Sequence, residues 1–336
     1  MILKKAGQQS VKLMSPPIIS GYSCVAGKRE GHGPLKKDFD KVVTDSFWGE
    51  KTWEKAESKM VEYAVGEAIS KAGLTPDKLD RIFAGDLLNQ CVSSTFGIRD
   101  YDIPYYGIYG ACSNMAESLS LAAMMIDGGF AQHAAAVTSS HFCSAERQYR
   151  FPLEYGGQRT PSSQWTVTGA GAAVVSASGH GPKIEALTCG KIADMGIKDA
   201  NNMGAAMAPA AYNTLTAHFE DLGIEPDYYD LIVTGDLGFV GSEILKELFS
   251  GIGDKLLSRY NDCGLMVFDR EEQDVGAGGS GCGCSAVVLC GHILKKLSRG
   301  ELKHVLFAAT GALMSPLTAQ QGETIPGICH AVAITA

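Results

Sequence analysis

The segment Tyr109-Gly110-Ala111-Cys112-Ser113-Asn114 places a thiol between an apolar run at 104–109 and a helix-forming stretch at 113–127. A cysteine there stands at a helix N-terminus, whose partial positive charge stabilises a thiolate and lowers its pKa. The sharp turn also presents the sulfur to a substrate, as nucleophile elbows do. A small buried cysteine that merely fills the turn has the same pattern, so both readings stand at this point. His141 follows the apolar run 133–139, and the ends of parallel strands are where α/β sites gather. It could act as a base for Cys112, donate a hydrogen bond to a ligand, or be an ordinary loop histidine. Asp86 and Asp236 each end an apolar run, with Asn89 close behind the first. They can serve a site at the strand ends or cap the next helix. Residues 146–159 concentrate Arg147, Arg150 and Arg159 beside Tyr149 and Tyr155. Arginine forks bind carboxylate or phosphate in a bidentate way. In an acidic chain this is the best anion-binding segment, unless it is simply a solvated loop.

Two further patterns are weaker. Gly276-Ala277-Gly278-Gly279-Ser280-Gly281 matches the dinucleotide pattern G-x-G-x-x-G, but the strand expected at 264–268 ends well before it. Cys282, Cys284, Cys290 and His292 straddle a turn and a helix and do not share one face, so no metal site is expected.

The elements that must position these residues come in two copies. Residues 69–87 and 219–237 match at Gly73/Gly223, Pro76/Pro226, Asp77/Asp227, Asp80/Asp230, Ile82/Ile232, Gly85/Gly235, Asp86/Asp236 and Leu87/Leu237. Each copy reads as a helix end, a glycine stop, a proline turn and a buried strand. A fainter second match aligns Gly110/Gly281, Gly129/Gly300 and His133/His304. The offset grows between the two matches, and residues 250–277 have room for the extra chain. Strands are expected at 17–24, 80–85, 104–109, 133–139, 171–177, 183–190, 229–235, 264–268, 303–309 and 328–335. Helices are expected at 53–72, 113–127, 207–222, 241–249 and 284–298. Strands alternating with helices argue for mostly parallel sheets covered by helices. The seam falls near residue 179, giving halves 1–178 and 179–336. The polar segment 142–168 is long for a plain connection, and such loops are often functional.

Composition excludes several classes of function. Of 336 residues, 45% are hydrophobic and 20% charged, which is ordinary for a globular protein and excludes disorder. A net charge of −8 leaves no global basic footprint for nucleic acid. No apolar run approaches the roughly 20 residues of a membrane span, and residues 1–10 lack the apolar core of a signal peptide. The 10 cysteines are scattered along a large chain, which favours a reducing compartment over a disulfide framework.

A duplicated α/β unit with a cysteine elbow in its first copy resembles the thiolase and ketoacyl-synthase superfamily. Within it, the segments 84–90, 109–118, 127–141, 145–158, 203–211, 276–288 and 309–316 resemble, in order, the stage V sporulation protein AD family. The resemblance implies an α/β fold of five αβαβα layers, with two mostly parallel mixed sheets related by pseudo-two-fold symmetry. It implies a binding role on that scaffold: capture of dipicolinic acid (pyridine-2,6-dicarboxylate), alone or as its calcium chelate, for uptake into the developing spore. It further implies a homodimer, peripheral to the spore inner membrane through sibling membrane proteins of the same uptake complex. No cofactor is implied beyond calcium accompanying the ligand, and no nucleic-acid partner.

On this reading the pocket lies near Cys112. Arg147 or Arg150 pairs with the ligand's carboxylates and Tyr149 or Tyr155 stacks on its ring. His141, Asp86, Asn89, Asp236 and Ser280 are further lining candidates. Condensing enzymes need two second-half groups besides the cysteine, His-His or His-Asn, to polarise the thioester carbonyl. The positions where the resemblance places them read Thr234-Gly235-Asp236-Leu237 and Gly279-Ser280-Gly281-Cys282-Gly283, with neither group present. Gly291-His292-Ile293 falls in a helix and lacks the proline of the thiolase motif, which leaves His330 as the second-half candidate. The alternatives are an acyltransferase or condensing-type enzyme using Cys112 with His141 or His330, and a purely structural subunit of the uptake complex.

Overall fold

The computed structural model describes residues 4–149, 158–250 and 254–336. Its main strands are β1 (Ile18–Ala26), β2 (Arg81–Gly85), β3 (Tyr105–Ile108), β4 (His133–Ser140), β5 (Gly169–Ser176), β6 (Lys183–Thr188), β7 (Leu231–Thr234), β8 (Tyr260–Asp262), β9 (His304–Ala312) and β10 (Gly327–Thr335). The helices that matter here are α1 (Trp53–Lys71), α2 (Asn114–Asp127), α3 (Phe142–Tyr149), α4 (Met203–Leu222), α5 (Gly238–Leu248) and α6 (282–298).

The sequence repeat has a direct structural meaning. Helix α1 starts at Thr52, whose hydroxyl accepts the Lys55 amide at 3.3 Å. It buries Met60, Val61, Ala64, Val65 and Ala68, the spacing of one helix face. The chain leaves α1 through Gly73 at φ +70° and leaves α4 through Gly223 at φ +63°, the left-handed turn that glycine makes without strain. A 3-10 turn follows each, at Pro76–Lys78 and Pro226–Tyr228, and then β2 or β7. Asp80 accepts the Gln132 and His133 amides at 2.7 and 3.1 Å, and Asp230 accepts those of Lys303 and His304 at 2.7 and 3.1 Å. The matched aspartates therefore clamp the starts of β4 and β9, and the matched histidines open those strands.

The two halves use one strand order. The first runs β3-β2-β4-β5-β1 and the second β8-β7-β9-β10-β6. In each, the first three strands are parallel and the last two join antiparallel. The two sheets touch at the Lys183–Ile18 pair, so they run on into one sheet of 13 strands once the short edge strands are included. Helix α2 packs on β2, β4 and β5 of one sheet and on β9 and β10 of the other, and α6 packs beside it on β1, β4 and β5. Helix α1 covers the outer face of the first sheet and α4 that of the second. This is the expected stack of five layers. The middle layer is largely buried, and Met115, Leu119, Val287 and Leu294 pack there with Phe307 of β9. All ten cysteines are free thiols.

Three local expectations are corrected. Residues 263–266 form a helix, not a strand, because Asp262 caps it by accepting the Gly264 amide at 2.9 Å; the strand is β8, just before. The segment 142–168 is not a plain loop. It opens with α3, and Trp165–Thr166 pairs in parallel with Gly279–Ser280. Helix α6 is not uniform either, since Leu289–Ile293 winds as a π-helix. Among the described residues, no helix is long and apolar enough to cross a membrane.

Candidate functional site

Cys112 sits where the elbow was expected. The chain leaves β3, turns at Gly110 and Ala111, and passes through a 3-10 turn, Ala111–Ser113, into α2. Ala111 has φ +54°, a left-handed conformation that costs a non-glycine residue roughly 1–2 kcal/mol. The turn is held by Asn114, whose Oδ1 accepts the Gly110 amide at 2.6 Å, and by Ser113, whose hydroxyl donates to the Gly110 carbonyl at 2.6 Å. The thiol faces a narrow cavity of about 50 Å³. Leu87 reaches it from the end of β2, Ala145, Glu146 and Tyr149 from α3, and Met203 from the start of α4. Thr166, Ser280, Ala312 and Met314 complete the lining. Both halves thus contribute at the carboxyl ends of their strands.

The group facing Cys112 is acidic. Asp236 is fully buried, and its carboxylate accepts Thr310 Oγ1 at 2.8 Å, Gly281 N at 3.0 Å and Ser280 Oγ at 3.2 Å. Its carboxylate also stands close enough to the Cys112 thiol to act on its ionisation. Burial pushes the Cys112 pKa well above that of a free thiol, and the Asp236 charge pushes it further; the Gly281 amide opposes them only in part. Of the two readings left open for Cys112, burial and the Asp236 charge favour the neutral buried thiol. A neighbouring anion and a dry site hold the proton on sulfur.

The matched aspartates have diverged. Asp86 accepts the Leu88 amide at 2.8 Å and both the amide and hydroxyl of Ser94, at 2.8 and 2.7 Å. It closes the turn after β2 and does not line the cavity. In the second half that work falls to Asp262, which accepts the Leu237 and Gly238 amides at 2.8 and 2.9 Å, and Asp236 is released toward the cysteine. Beneath the site, Glu57 of α1 accepts Ser139 Oγ and Ser144 Oγ, each at 2.9 Å. Burial, helped by the nearby Asp86 charge, raises its pKa to about 8.

The other candidates are placed as follows. His141 is buried away from the cavity lining. Its Nε2 lies 2.8 Å from the Ser46 carbonyl and its Nδ1 accepts the Cys143 amide at 3.2 Å. Burial lowers its pKa. His330 lies beside Gln9, Glu117 and Cys189 in a separate hollow and accepts the Gly190 amide at 3.2 Å; burial lowers its pKa to about 4. Tyr149 is in the wall, its hydroxyl donating to the Leu87 carbonyl and lying 3.2 Å from that of Tyr109. Asn89 sits at the rim and accepts Tyr109 Oη at 3.0 Å. Arg147 turns outward, paired with Glu54 of α1 over the Trp53 ring. Arg150 and Tyr155 fall outside the described residues. Arg159 turns inward instead: its Nη1 is 3.1 Å from Glu146 Oε1 and its Nη2 donates to the Gln164 carbonyl.

Sequence reasoning missed Glu146, Thr166 and Thr310. A signal existed for Thr310, because the match of His133 with His304 sets it opposite Ser139 near the end of β9. None existed for Thr166, whose place depends on the two-residue pairing with Gly279–Ser280.

A cysteine elbow at the junction of two superposed α/β halves defines the thiolase-like class, and solved structures bear this out at the level of fold. The chain matches the 3-oxoacyl-[acyl-carrier-protein] synthase III of Aquifex aeolicus VF5 with a TM-score of 0.55 at 15% identity, over 96% of this chain and 100% of the other. A variant of OleA from Xanthomonas campestris matches with a TM-score of 0.60 at 14% identity, over 98% and 99% of the two chains. Within that class the sequence is more specific. The profile of the stage V sporulation protein AD family matches residues 7–335. Stage V sporulation protein AD of Bacillus subtilis (strain 168) is 46% identical over 330 residues, covering 98% of this chain and 97% of the relative. The chain belongs to the stage V sporulation protein AD family.

Proposed function

We propose that this protein binds pyridine-2,6-dicarboxylate, alone or with calcium, for uptake into the developing spore, and that its thiolase-like site no longer condenses thioesters. The observation that carries this reading is the buried Asp236 carboxylate beside the Cys112 thiol, held by Thr310, Ser280 and Gly281. A condensing site needs a thiolate and donors that polarise a carbonyl. Here the position facing the sulfur holds an acceptor with a negative charge, and Ser280 spends its hydroxyl on that same carboxylate. The result is a neutral thiol in a mainly apolar cavity with a few converging polar groups, the usual form of a small-molecule binding site. Tyr149 lines the cavity that would take a flat aromatic ligand, and Arg159 brings a guanidinium to the wall through Glu146. In this reading the protein works as a homodimer at the spore inner membrane, held there by sibling membrane proteins.

The test is a calorimetric titration of the folded protein with pyridine-2,6-dicarboxylate, with and without calcium, and with benzoate as control. Saturable heat with the dicarboxylate and none with benzoate is expected. Absence of saturation together with covalent labelling of Cys112 by an acyl-coenzyme A would replace the binding reading with acyl transfer.

A further inference from the structure

The pocket described above has an unusual wall for an anion site. Its charged lining residue is a carboxylate, Glu146, and the guanidinium of Arg159 stands on the far side of it. Glu146 is 5% exposed and its Oε1 lies 3.1 Å from Arg159 Nη1 and 3.4 Å from Thr166 Oγ1. Arg159 is anchored independently of this pair. Its Nη2 donates to the Gln164 carbonyl, and its guanidinium sits 5.6 Å from the Phe142 ring centre and 5.3 Å from that of Trp165, rings that stack at 3.9 Å. The cation is therefore held in place by backbone and aromatic contacts, whereas its carboxylate partner projects from α3 into the ligand's space.

We propose that Glu146 is an internal stand-in for a ligand carboxylate: an anionic ligand enters by displacing it from Arg159, so Glu146 sets the affinity threshold and the ligand-class specificity of the pocket. The inference rests on the anion-binding reading above. A guanidinium fork presents the same planar pair of donors to either carboxylate, so the two compete for one receptor. A neutral ligand gains nothing by the exchange. A ligand carboxylate makes the exchange like for like, and this selects acidic ligands over neutral ones.

The experiment compares calorimetric titrations of the wild-type protein, Glu146→Gln, Arg159→Met and the double variant with pyridine-2,6-dicarboxylate and with the uncharged pyridine-2,6-dicarboxamide. Glutamine keeps the size of Glu146 but not its charge. Glu146→Gln is expected to bind the dicarboxylate roughly tenfold more tightly than wild type, the scale of one partly screened charge pair. Its binding of the dicarboxamide should not change. The gain should vanish in the double variant, because the receptor is gone. Circular dichroism checks that each variant is folded, and Glu146→Asp, which keeps the charge on a shorter stem, serves as a second probe with an intermediate gain. Saturable wild-type binding with no gain, or a loss, in folded Glu146→Gln overturns the inference while leaving the binding reading intact. A gain of equal size for the dicarboxamide also overturns it. Failure of the wild type to bind the dicarboxylate removes both.

Discussion

Asp236→Asn is the perturbation that bears most directly on why the elbow cysteine is quiet. The carboxylate stands beside the thiol in a fully buried site. Two unit charges about 4 Å apart interact by about 4 kcal/mol at the effective dielectric constant of roughly 20 that suits such sites. Asparagine removes this repulsion between Asp236 and a Cys112 thiolate but keeps the shape. Each 1.36 kcal/mol is about tenfold in thiolate population. Even if half the interaction is screened or replaced, the thiolate fraction should rise by more than about tenfold. Burial still opposes ionisation, so Cys112 becomes more reactive without becoming a low-pKa nucleophile. The amide must turn its oxygen to the Gly281 N–H and its NH₂ to Thr310, whose hydroxyl can accept instead of donating. One mismatched contact costs about 1–3 kcal/mol of stability. The assay is the rate of iodoacetamide alkylation of the Cys112 peptide between pH 7 and 9, followed by mass spectrometry because Cys189 is exposed and reacts separately. Equal Cys112 rates in the folded wild-type and Asp236→Asn proteins would refute the claim that Asp236 holds the proton on sulfur.

Glu57 predicts a pH dependence of stability. Its folded pKa of about 8 lies above the 4.5 of a free glutamate, so the folded protein holds a proton that the unfolded chain releases, and the contribution is full below about pH 4.5 and lost as pH rises through 8. Thermal melts should fall between pH 5 and 8, and Glu57→Gln should flatten that fall by an amount on the order of a few kcal/mol; a slope unchanged by the substitution would sink the assignment. Arg147→Ala removes an exposed ion pair and should change stability by no more than about 1 kcal/mol and ligand affinity hardly at all, whereas Arg159→Met should weaken dicarboxylate binding severalfold or more in the same titration. Gly281→Ala places a Cβ about 2.7 Å from Ser140 Oγ at a φ of +97°, and should lower stability by more than about 1 kcal/mol in denaturant melts.

Much of the architecture was legible because it is local. Gly73 and Gly223 end helices by left-handed turns, Pro76 and Pro226 start the next turns, and Asp80 and Asp230 clamp the following strands. Each depends on a few neighbouring residues and on strand or helix periodicity, and so survives as a pattern in the chain. The elbow at Cys112 and the lack of a histidine in 234–237 and of an asparagine in 279–283 were readable for the same reason. The strand expected at 264–268 failed because an apolar run of that length does not distinguish a strand from a short capped helix, and the deciding contact, Asp262 to Gly264, overrides the pattern.

The site itself was settled by tertiary structure. Asp86 and Asp236 are equivalent in sequence, yet one closes a turn and the other meets a cysteine from the opposite half, because Asp262 relieves Asp236 of the first task. Arg147 and Arg159 share one polar segment, and only the packing of α3 against α1 and of Trp165 beside Phe142 turns the first out and the second in. The sequence left a helix-stabilised thiolate and a buried neutral cysteine both open, since only the helix end is visible in the chain. Desolvation and a carboxylate brought from the other half outweigh it, and both arise only when the two halves close on one another.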